Sequence, residues 1–380
     1  MKFQANRDVF SEAVSFAVKL LPQRTTLPIL SGVLIETTET GLLLSSFDYE
    51  VSAQTEIAAE VEEPGKILVS GRLLAEIASK LPNAPVQLST EESRIIVRSG
   101  SASFTLLSMP VEEYPSIPQV SGQSGLVPAE EFATAVAQVG VAASRDDVTP
   151  VITGVQLEVG DNTLGLVATD RYRVAVREID WDGGGSGETV TALVPARTLQ
   201  EIGKTLGHSG TIAISITNRD DRELIAFTAD KKTVTSLLIK GNFPPVRRLF
   251  PETVDNYAVI NTAELIEATR RVSLVLEREA ALRFTFSLEG LTLEAIGSEQ
   301  AQASESIDAL LTGQDTVVSL KPQFLLDGLG AVHSEFVRIS FTKTENPNKP
   351  GPVLITSQSS KDQAGADNYK YLLQPNLLLR

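Results

Sequence analysis

The sequence contains no cysteine and only two histidines, His208 and His333. The absence of cysteine excludes disulfide frameworks, thiolate zinc sites, iron–sulfur clusters and cysteine nucleophiles. Two histidines are too few for a histidine-rich metal centre. We therefore predict a protein without a metal or other cofactor.

Long apolar segments are also missing. The first residues, MKFQANRDVF, lack the apolar core of a signal peptide. No apolar run approaches the ~20 residues that span a membrane. We therefore expect a cytoplasmic protein.

Positive charge is scarce. The chain has 33 lysines and arginines against 48 aspartates and glutamates, which gives a net charge of −15. Taken alone, this excess of acids argues against a protein that wraps nucleic acid with a basic surface.

The composition is otherwise that of an ordinary globular chain, with 42% hydrophobic and 21% charged residues among 380. This balance excludes wholesale disorder. At ~150 residues per domain, the length predicts two or three domains.

Three stretches of the chain open alike, each with a short strand, a polar turn and a helix. They are KFQANRDVFSEAVSFAVKLL from Lys2, GLVPAEEFATAVAQVGVAAS from Gly125 and YAVINTAELIEATRRVSLVL from Tyr257. Apolar residues recur at three- and four-residue spacing in each predicted helix. Asp8, Glu130 and Glu264 place an acid in the first helical turn, where the helix dipole favours it.

The blocks that follow these openings also recur. Asp48 matches Asp170, 122 residues later, and Arg72 matches Arg197, 125 residues later. Apolar–polar alternation around turn residues predicts hairpins with one buried face. One repeat therefore reads β-α-β-β-β twice and occurs three times, which indicates an α+β protein of three similar domains.

Small polar segments with proline or glycine mark the boundaries between the repeats. Two of them, at 121–125 and 251–256, are predicted linkers, and GGGSG at 183–187 is a predicted surface loop. The expected domains are 1–120, 126–250 and 256–380.

Residues suited to catalysis are few. The chain has no phosphate-binding P-loop, nucleophile elbow or zinc-protease helix. We expect His208 and His333 to be exposed or to cap helices. Because Asp48 and Asp170 occupy equivalent repeat positions, we expect both to hold turn backbone rather than to act as an acid–base pair. The sequence predicts a protein that is not an enzyme.

The few positive charges are patterned. Two arginines, Arg24 and Arg145, follow the first helix of repeats one and two. The others lie on predicted helices or their entries: Lys19, Arg72, Lys80, Arg197, Lys204, Arg270, Arg271 and Lys321. They form either solvated helix faces or, if the helices face one way, a single basic surface that holds a polyanion.

Several segments resemble a known family. They are MKF at the start, RTTLPILSGVLIE at 24–36, VRSGSASFTL at 97–106, VATDRYRVAVRE at 167–178, GNFPPVRRLFP at 241–251 and YLLQP at 371–375. Over essentially its whole length the chain resembles the bacterial DNA sliding clamp of actinobacterial type, the β subunit of the DNA polymerase III holoenzyme. The resemblance implies a non-catalytic processivity factor for DNA replication, although the holoenzyme itself is a DNA-directed DNA polymerase.

The resemblance also implies an assembly. Two chains would form a head-to-tail homodimer, a six-domain ring of clamp domains that encircles duplex DNA without reading its sequence, in the cytoplasm at the nucleoid. The implied DNA-binding residues are Arg24, Arg72, Arg145 and Arg197. The implied dimer interface brings Phe104 and Leu106 against Leu274 and Val275.

Family members dock the replicative polymerase, the clamp loader and repair proteins through short linear peptides, in an apolar pocket between the second and third domains. The resemblance places this pocket at Ile152, Thr169, Tyr172, Arg173, Val174, Pro244, Arg248, Leu249, Phe324, Leu372, Gln374, Pro375 and Asn376. For Val174, Leu249 and Leu372, ordinary core packing is an alternative. Arg173 and Arg248 fit a pocket better, because binding pockets combine an apolar lining with a few placed polar groups.

Two positions depart from the family pattern. Clamps usually end in a Met-Pro-apolar run, whereas this chain has Gln374 and Asn376 around its proline, and NPNKPGP at 346–352 is rich in proline. An alternative function follows: a specialised clamp paralogue whose altered pocket gives resistance to a pocket-directed antibiotic or other inhibitor. A third hypothesis, a repeat-built enzyme or nuclease, is opposed by the lack of a metal or nucleophile constellation.

Overall fold

The computed structural model describes residues 1–22, 24–120, 125–183, 189–208, 210–219, 222–296, 301–346, 349–365 and 368–378. Most of the predicted linker 121–125 and of the predicted loop 183–187 lies outside these ranges. The predicted linker 251–256 is described and contains neither helix nor strand.

The described residues form six α-helices, and three of them begin as the sequence repeats predict. Asn6 and Asn261 cap the first and fifth helices by accepting hydrogen bonds from first-turn N–H groups. Asp8, Glu130 and Glu264 lie in first turns, as predicted. None of these helices is long and apolar enough to cross a membrane. The helices are α1 (Arg7–Lys19), α2 (Gly71–Lys80), α3 (Ala129–Gly140), α4 (Ala196–Leu206), α5 (Thr262–Val272) and α6 (Pro322–Val332).

The strands follow the three repeats. In the first repeat they are β1 (Lys2–Ala5), β2 (Gly32–Thr37), β3 (Gly41–Phe47), β4 (Val51–Ala58), β5 (Glu60–Glu63), β6 (Lys66–Ser70), β7 (Val86–Glu91), β8 (Arg94–Ser99) and β9 (Ala102–Leu107). In the second they are β10 (Gly125–Pro128), β11 (Gly154–Val159), β12 (Thr163–Thr169), β13 (Arg173–Asp180), β14 (Val190–Pro195), β15 (Thr211–Arg219), β16 (Arg222–Ala229) and β17 (Lys232–Leu237). In the third they are β18 (Tyr257–Asn261), β19 (Leu282–Ser287), β20 (Gly290–Ile296), β21 (Gln302–Ile307), β22 (Leu310–Thr312), β23 (Thr316–Leu320), β24 (Phe336–Phe341), β25 (Val353–Gln358) and β26 (Lys370–Leu373).

The predicted order of elements is confirmed in the second repeat. The first and third repeats each have one additional short strand, β5 and β22, which pair with β1 and β18. The β5 segment reads EVEE and has a largely exposed side-chain pattern. Apolar periodicity therefore could not predict it.

The first compact unit comprises Met1–Ala133, Asp182–Gly184 and Glu201–Leu238. Its strands form an eight-stranded sheet of order β10-β15-β16-β17-β4-β3-β2-β6 and a five-stranded sheet of order β5-β1-β7-β8-β9. Helix α1 packs on α2 and on strands β2, β3 and β4. The core behind these contacts includes Phe3, Phe10, Val14, Ile35, Leu44 and Leu74.

The second compact unit comprises Thr134–Trp181, Gly185–Gln200 and Ile239–Arg380. It has a nine-stranded sheet of order β14-β11-β12-β13-β26-β25-β24-β18-β22 and a four-stranded sheet of order β21-β20-β19-β23. Helix α5 contacts α6, and the rings of Phe286 and Phe341 meet edge to face at 4.8 Å.

Each large sheet joins strands of two repeats. In the first unit β4 pairs antiparallel with β17, and Val51 lies opposite Ser236. In the second unit β13 pairs antiparallel with β26, and Arg173 lies opposite Leu373. The middle repeat contributes strands to both large sheets, so the division into two compact units runs through it.

Candidate functional site

The turn between β12 and β13 separates two residues of opposite exposure. Oδ1 of Asp170 accepts hydrogen bonds from the backbone N–H groups of Tyr172 and Arg173 at 3.0 and 3.2 Å. The hydroxyl of Thr169 donates to the Arg173 carbonyl at 2.7 Å. Arg171 has a φ of 81°, in the left-handed region that side chains rarely adopt. The turn leaves Tyr172 62% exposed and Arg173 only 8% exposed.

The first repeat contains the same turn. Oδ1 of Asp48 accepts from the N–H groups of Glu50 and Val51 at 2.9 and 2.7 Å. Tyr49 has a φ of 72°. The prediction that Asp48 and Asp170 both hold turn backbone is therefore confirmed.

Three side chains hold Arg173. Its Nε donates to Asp170 Oδ2 at 3.0 Å, and its Nη1 donates to Asp327 Oδ2 at 2.5 Å and to the Tyr371 hydroxyl at 3.2 Å. Burial alone lowers the pKa of the Arg173 guanidinium, but Tyr371 and the two carboxylates raise it above its usual value. Arg173 is therefore a cation throughout the accessible pH range.

The Tyr371 hydroxyl also remains protonated at neutral pH. Burial raises the pKa of this hydroxyl above its usual value, and the opposing effect of Arg173 is smaller. The hydroxyl donates its own hydrogen to the backbone carbonyl of Phe324 at 2.6 Å. Tyr371 thus ties β26 to the first turn of α6.

Phe324 stands among aromatic and cationic groups. Cζ of Arg173 lies 4.5 Å from the centroid of its ring, and Nζ of Lys321 lies 5.2 Å from the same point. Both distances are within the range of cation–π attraction. The Tyr172 ring stacks on Phe324 with centroids 5.9 Å apart and planes at 28°. These contacts create an aromatic platform, defined as Tyr172 with Phe324, that is open to solvent on the Tyr172 side.

The end of the chain borders this platform. The backbone N–H of Gln374 donates to the Tyr172 carbonyl at 2.9 Å, and its side-chain Nε2 donates to the Pro350 carbonyl at 3.1 Å. The N–H of Asn376 donates to the Ser319 carbonyl at 2.8 Å. Gln374 and Asn376 are both exposed. Gln374, one of the two residues that depart from the family pattern, is therefore linked to the proline-rich segment 346–352 through Pro350.

The predicted pocket residues divide by exposure. Val174 and Leu372 face each other across β13 and β26 and are buried in one apolar cluster, so core packing describes both. Leu249 is 52% exposed, which argues against core packing for it. Also buried are Ile152, Thr169, Arg173 and Pro375. Exposed or half-exposed are Tyr172, Pro244, Arg248, Leu249, Phe324, Gln374 and Asn376.

Direct contacts join Tyr172, Arg173, Phe324 and Gln374. Arg248 and Leu249 lie at the end of a short 3-10 helix, Val246–Leu249, whose first residue packs in the same apolar cluster as Val174. The structure therefore places the exposed Leu249 on a segment anchored in this apolar cluster.

The sequence analysis assigned no pocket role to three residues that contact Arg173 or Phe324: Asp327, Tyr371 and Lys321. Asp327 lies three positions after Phe324 on α6, a spacing at which helical residues share a face. That spacing could have indicated Asp327. Tyr371 precedes a pocket residue on β26, and successive strand residues point to opposite faces, so the pocket pattern gave no signal for it.

In the first unit, two predicted DNA-contact residues occur close together. Arg24 lies in the loop after α1, and Arg72 is the second residue of α2. Both are exposed. Nη2 of Arg72 donates to the carbonyl of Pro22, in the same loop as Arg24, at 3.0 Å.

The second unit has the corresponding pair, Arg145 after α3 and Arg197 at the start of α4, and both are exposed. Helices α3 and α4 approach closely, because a Cβ built on Gly140 would lie 2.5 Å from Nε2 of Gln200. In both units the described arrangement brings a helix start beside the end of the preceding helix.

The predicted dimer residues lie at sheet edges or beside them. On β9, the edge strand of its sheet, Phe104 is exposed, but Leu106 is buried in the core of its own unit. Leu106 thus supports the strand from inside, whereas its neighbour Leu107, which the sequence analysis did not single out, is exposed. Leu274 is 83% exposed and Val275 half-buried, in a 3-10 helix that follows α5.

The described part of the chain contains no group of three or more histidine, aspartate or glutamate side chains placed to hold a metal ion. His208 is exposed. His333 is exposed and forms the left-handed C-cap of α6. The expected exposed or capping roles of the two histidines are confirmed.

Comparison with known proteins identifies the family. Three consecutive family models match: the N-terminal, central and C-terminal domains of the DNA polymerase III beta subunit, over residues 1–118, 126–245 and 247–363. The beta sliding clamp of Streptomyces coelicolor is 44% identical over 376 residues, which cover 99% of each chain. The beta sliding clamp homolog GriR of Streptomyces muensis is 36% identical over 375 residues, again 99% of each chain.

A solved structure agrees with these relatives. The DNA polymerase sliding clamp of Bacillus subtilis superposes with a TM-score of 0.89 at 27% identity, and the match covers 100% of both chains. The expected α+β fold with three clamp domains is confirmed. The chain belongs to the DNA polymerase III beta subunit family, the sliding clamps, which are non-catalytic processivity factors of DNA replication.

Proposed function

We propose that two copies of this chain form a head-to-tail ring around duplex DNA and hold the replicative polymerase on it. The observation that carries the proposal is the match to beta sliding clamps along the whole chain. Three domains per chain, at 1–120, 126–250 and 256–380, give six domains in the closed ring. The ring works at the nucleoid, where its DNA substrate lies.

Retention by topology explains how a chain with a net charge of −15 can serve DNA. A closed ring cannot leave a DNA circle, so its affinity need not come from many phosphate contacts. Weak contacts that ignore base identity let the ring slide without locking into register. Arg24, Arg72, Arg145 and Arg197 supply these contacts from exposed helix starts and loops.

Ring closure uses two sheet edges, β9 of one chain and β21 of the other. In the described residues each of these strands pairs on one side only. Joining them satisfies backbone groups that would otherwise invite aggregation. Phe104 and Leu274, with Val275 beside it, supply apolar contact, while Leu106 stiffens β9 from within.

Partner proteins bind through short peptides at the aromatic platform. The platform and Leu249 offer exposed apolar surface, and Gln374, Asn376 and Arg248 border it with polar groups. An apolar surface with a few fixed polar groups suits an apolar peptide of defined orientation. The polymerase, the clamp loader and repair proteins compete for it.

The specialised paralogue is the less favoured role. Identity to the Streptomyces coelicolor clamp exceeds identity to the GriR homolog. The ordinary replication clamp is therefore the function that the comparisons support better.

Retention on DNA tests the proposal. After loading by a clamp loader, the wild-type ring should remain on closed circular plasmid and run off when the plasmid is linearised, as measured by gel filtration of labelled protein. Replacing Arg24 and Arg145 by alanine should flatten the salt dependence of binding without abolishing retention on circles. The matched control replaces Arg94 and Arg98, two exposed arginines of β8, and should leave the salt dependence unchanged.

Two outcomes would contradict the ring. Equal retention on linear and circular plasmid would exclude sliding. A monomer in sedimentation at micromolar concentration would exclude a closed homodimer.

A further inference from the structure

The guanidinium of Arg173 is bound inside the protein through its Nε and Nη1. It meets two carboxylates, a tyrosine hydroxyl and the face of Phe324, and the residue is 8% exposed. A guanidinium held in this way presents little charge to an incoming peptide. Arg173 therefore serves the pocket through the side chains that it holds.

Asp327 is the group that connects this guanidinium to helix α6. Asp170 belongs to the same turn as Arg173, so their ion pair is local to that turn. Asp327 is 154 positions away in sequence and bonds the same guanidinium at 2.5 Å. Its second oxygen accepts a hydrogen bond from Gln323 at 2.8 Å, which fixes the carboxylate on the helix.

Phe324 lies on α6 between Gln323 and Asp327. It is three positions before Asp327, on the same helical face. Because Asp327 holds the guanidinium and the guanidinium lies against the ring, the position of the ring depends on the carboxylate. The outer face of the ring system is the exposed Tyr172, stacked on Phe324.

We propose that Asp327 is a positioning residue for partner binding, which fixes Arg173 against Phe324 so that the aromatic platform is preformed for an apolar peptide side chain. The proposal rests on the peptide-binding role proposed above. It specifies that the aromatic platform binds an apolar side chain of the peptide, because the charge of Arg173 is paired with carboxylates within the protein.

The loss of Asp327 has a defined cost. The guanidinium, then held only by Asp170 and Tyr371, can shift away from the ring. Phe324 would then regain side-chain freedom that peptide binding must remove. Ordering a freed side chain and losing a charged hydrogen bond together predict a peptide affinity about tenfold weaker.

A double-mutant cycle tests the proposal, with fluorescence polarisation of a short labelled peptide that contains leucine and phenylalanine. Asp327→Asn should weaken binding about tenfold, and Asp327→Glu should recover part of the loss. Phe324→Leu should also weaken binding. In the Phe324→Leu background, Asp327→Asn should add little, because the ring on which Asp327 acts is gone. Asp161→Asn, in the exposed β11–β12 turn, is the charge-matched control and should bind like the wild type.

Independent effects of the two substitutions, or unchanged binding by Asp327→Asn, would overturn the positioning role. If Asp327→Asn fails to fold by circular dichroism, Gln323→Ala replaces it in the cycle, because this change loosens the carboxylate and keeps every charge. A wild-type protein that does not bind the peptide would instead refute the proposed peptide pocket.

Discussion

Each large sheet has one pair of strands that connects two repeats. We call β4 with β17 the first join and β13 with β26 the second join. Both have the same strand arrangement, but only the second carries the candidate site. Val51 opposite Ser236 in the first unit corresponds to Arg173 opposite Leu373 in the second. Residues of β4 correspond to residues of β13 that lie 122 positions later, and residues of β17 correspond to residues of β26 that lie 137 positions later. The register is therefore shared between the two joins.

The backbone beyond each join is also shared. The N–H of Leu237 donates to the Glu50 carbonyl at 2.8 Å, as that of Gln374 donates to Tyr172 at 2.9 Å. Asp48 holds its turn as Asp170 does. Corresponding hydrogen bonds give the two turns matching conformations.

The side chains differ. Where the second join has Tyr172, Arg173 and Tyr371, the first has Glu50, Val51 and Val234. The first join has valine after its turn, and its link to a helix comes from the other strand, where Nζ of Lys232 donates to Glu12 of α1 at 2.5 Å. The comparison shows that the site is a small set of side chains placed on a repeated backbone frame, not a property of the frame itself.

The largest expected effect on stability comes from replacing Arg173 of the second join by valine, the residue at the corresponding position 51 of the first join. Arg173→Val should destabilise the second unit by about 3–5 kcal/mol, because two carboxylates remain partly buried without their cation. Fluorescence of the single tryptophan, Trp181, which is buried in the second unit, reports this unfolding in urea.

A compensated variant separates charge from shape. Adding Asp170→Asn and Asp327→Leu to Arg173→Val removes the unpaired charges and should restore most of the stability. A loss below about 1 kcal/mol for Arg173→Val alone would mean that water already screens these carboxylates and that the two joins are energetically alike.

The next effect concerns the residues after the join, where Gln374 corresponds to Leu237. Replacing an apolar contact by an amide costs ~1–3 kcal/mol, so the wild type should bind apolar peptides about 10- to 100-fold more weakly than a clamp with the usual ending. Gln374→Met with Asn376→Val should recover most of that loss in calorimetry. Partial recovery would assign the remainder to segment 346–352, to which Gln374 is hydrogen-bonded. Equal binding by wild type and double variant would mean that the amides are neutral.

A smaller effect tests the shared turn. Asp48→Ala removes an acceptor for two backbone N–H groups and should cost about 1–2 kcal/mol in thermal unfolding followed by circular dichroism. Asp170→Ala should cost more, because it also removes one partner of Arg173. Equal losses at the two positions would show that the Arg173 ion pair adds nothing to the second turn.

The smallest effect is the alkaline response of Tyr371. Its pKa is raised in the folded protein, chiefly by burial, so its contribution to stability is present below the unfolded pKa near 10 and declines as pH rises above it. At pH 10.5 the loss from this group should stay below about 1 kcal/mol. Tyr371→Phe should flatten the decline in urea unfolding, whereas Tyr49→Phe, at an exposed tyrosine of the first turn, should leave it unchanged. An identical decline in Tyr371→Phe would assign the response to other groups.

The internal repeats of the sequence allowed much of the fold to be predicted. A strand–helix pattern that occurs twice in each of three repeats, with acids at three helix starts, predicted the order of elements. Equivalent aspartates predicted the two turns. Periodicity could not predict β5 or β22, because these short strands lack alternating apolar residues and form through pairing with β1 and β18.

The site was predictable only in outline. Resemblance pointed to Tyr172, Arg173 and Phe324. Helical spacing from Phe324 could have indicated Asp327, but not its bond to Arg173 across 154 positions. Alternation on β9 likewise fails to predict exposure. It places Leu106 on the same face as Phe104, but Leu106 is buried in the core whereas Phe104 is exposed.

The join between β13 and β26 also fixes the order in which the chain can fold during synthesis. The first unit is complete once residue 238 has been made, whereas β13, at Arg173–Asp180, must wait for its partner at Lys370–Leu373. Contacts of such long sequence separation form slowly and leave strand edges open in the meantime. A ribosome that stalls late would therefore release a chain with a finished first unit and an aggregation-prone second one.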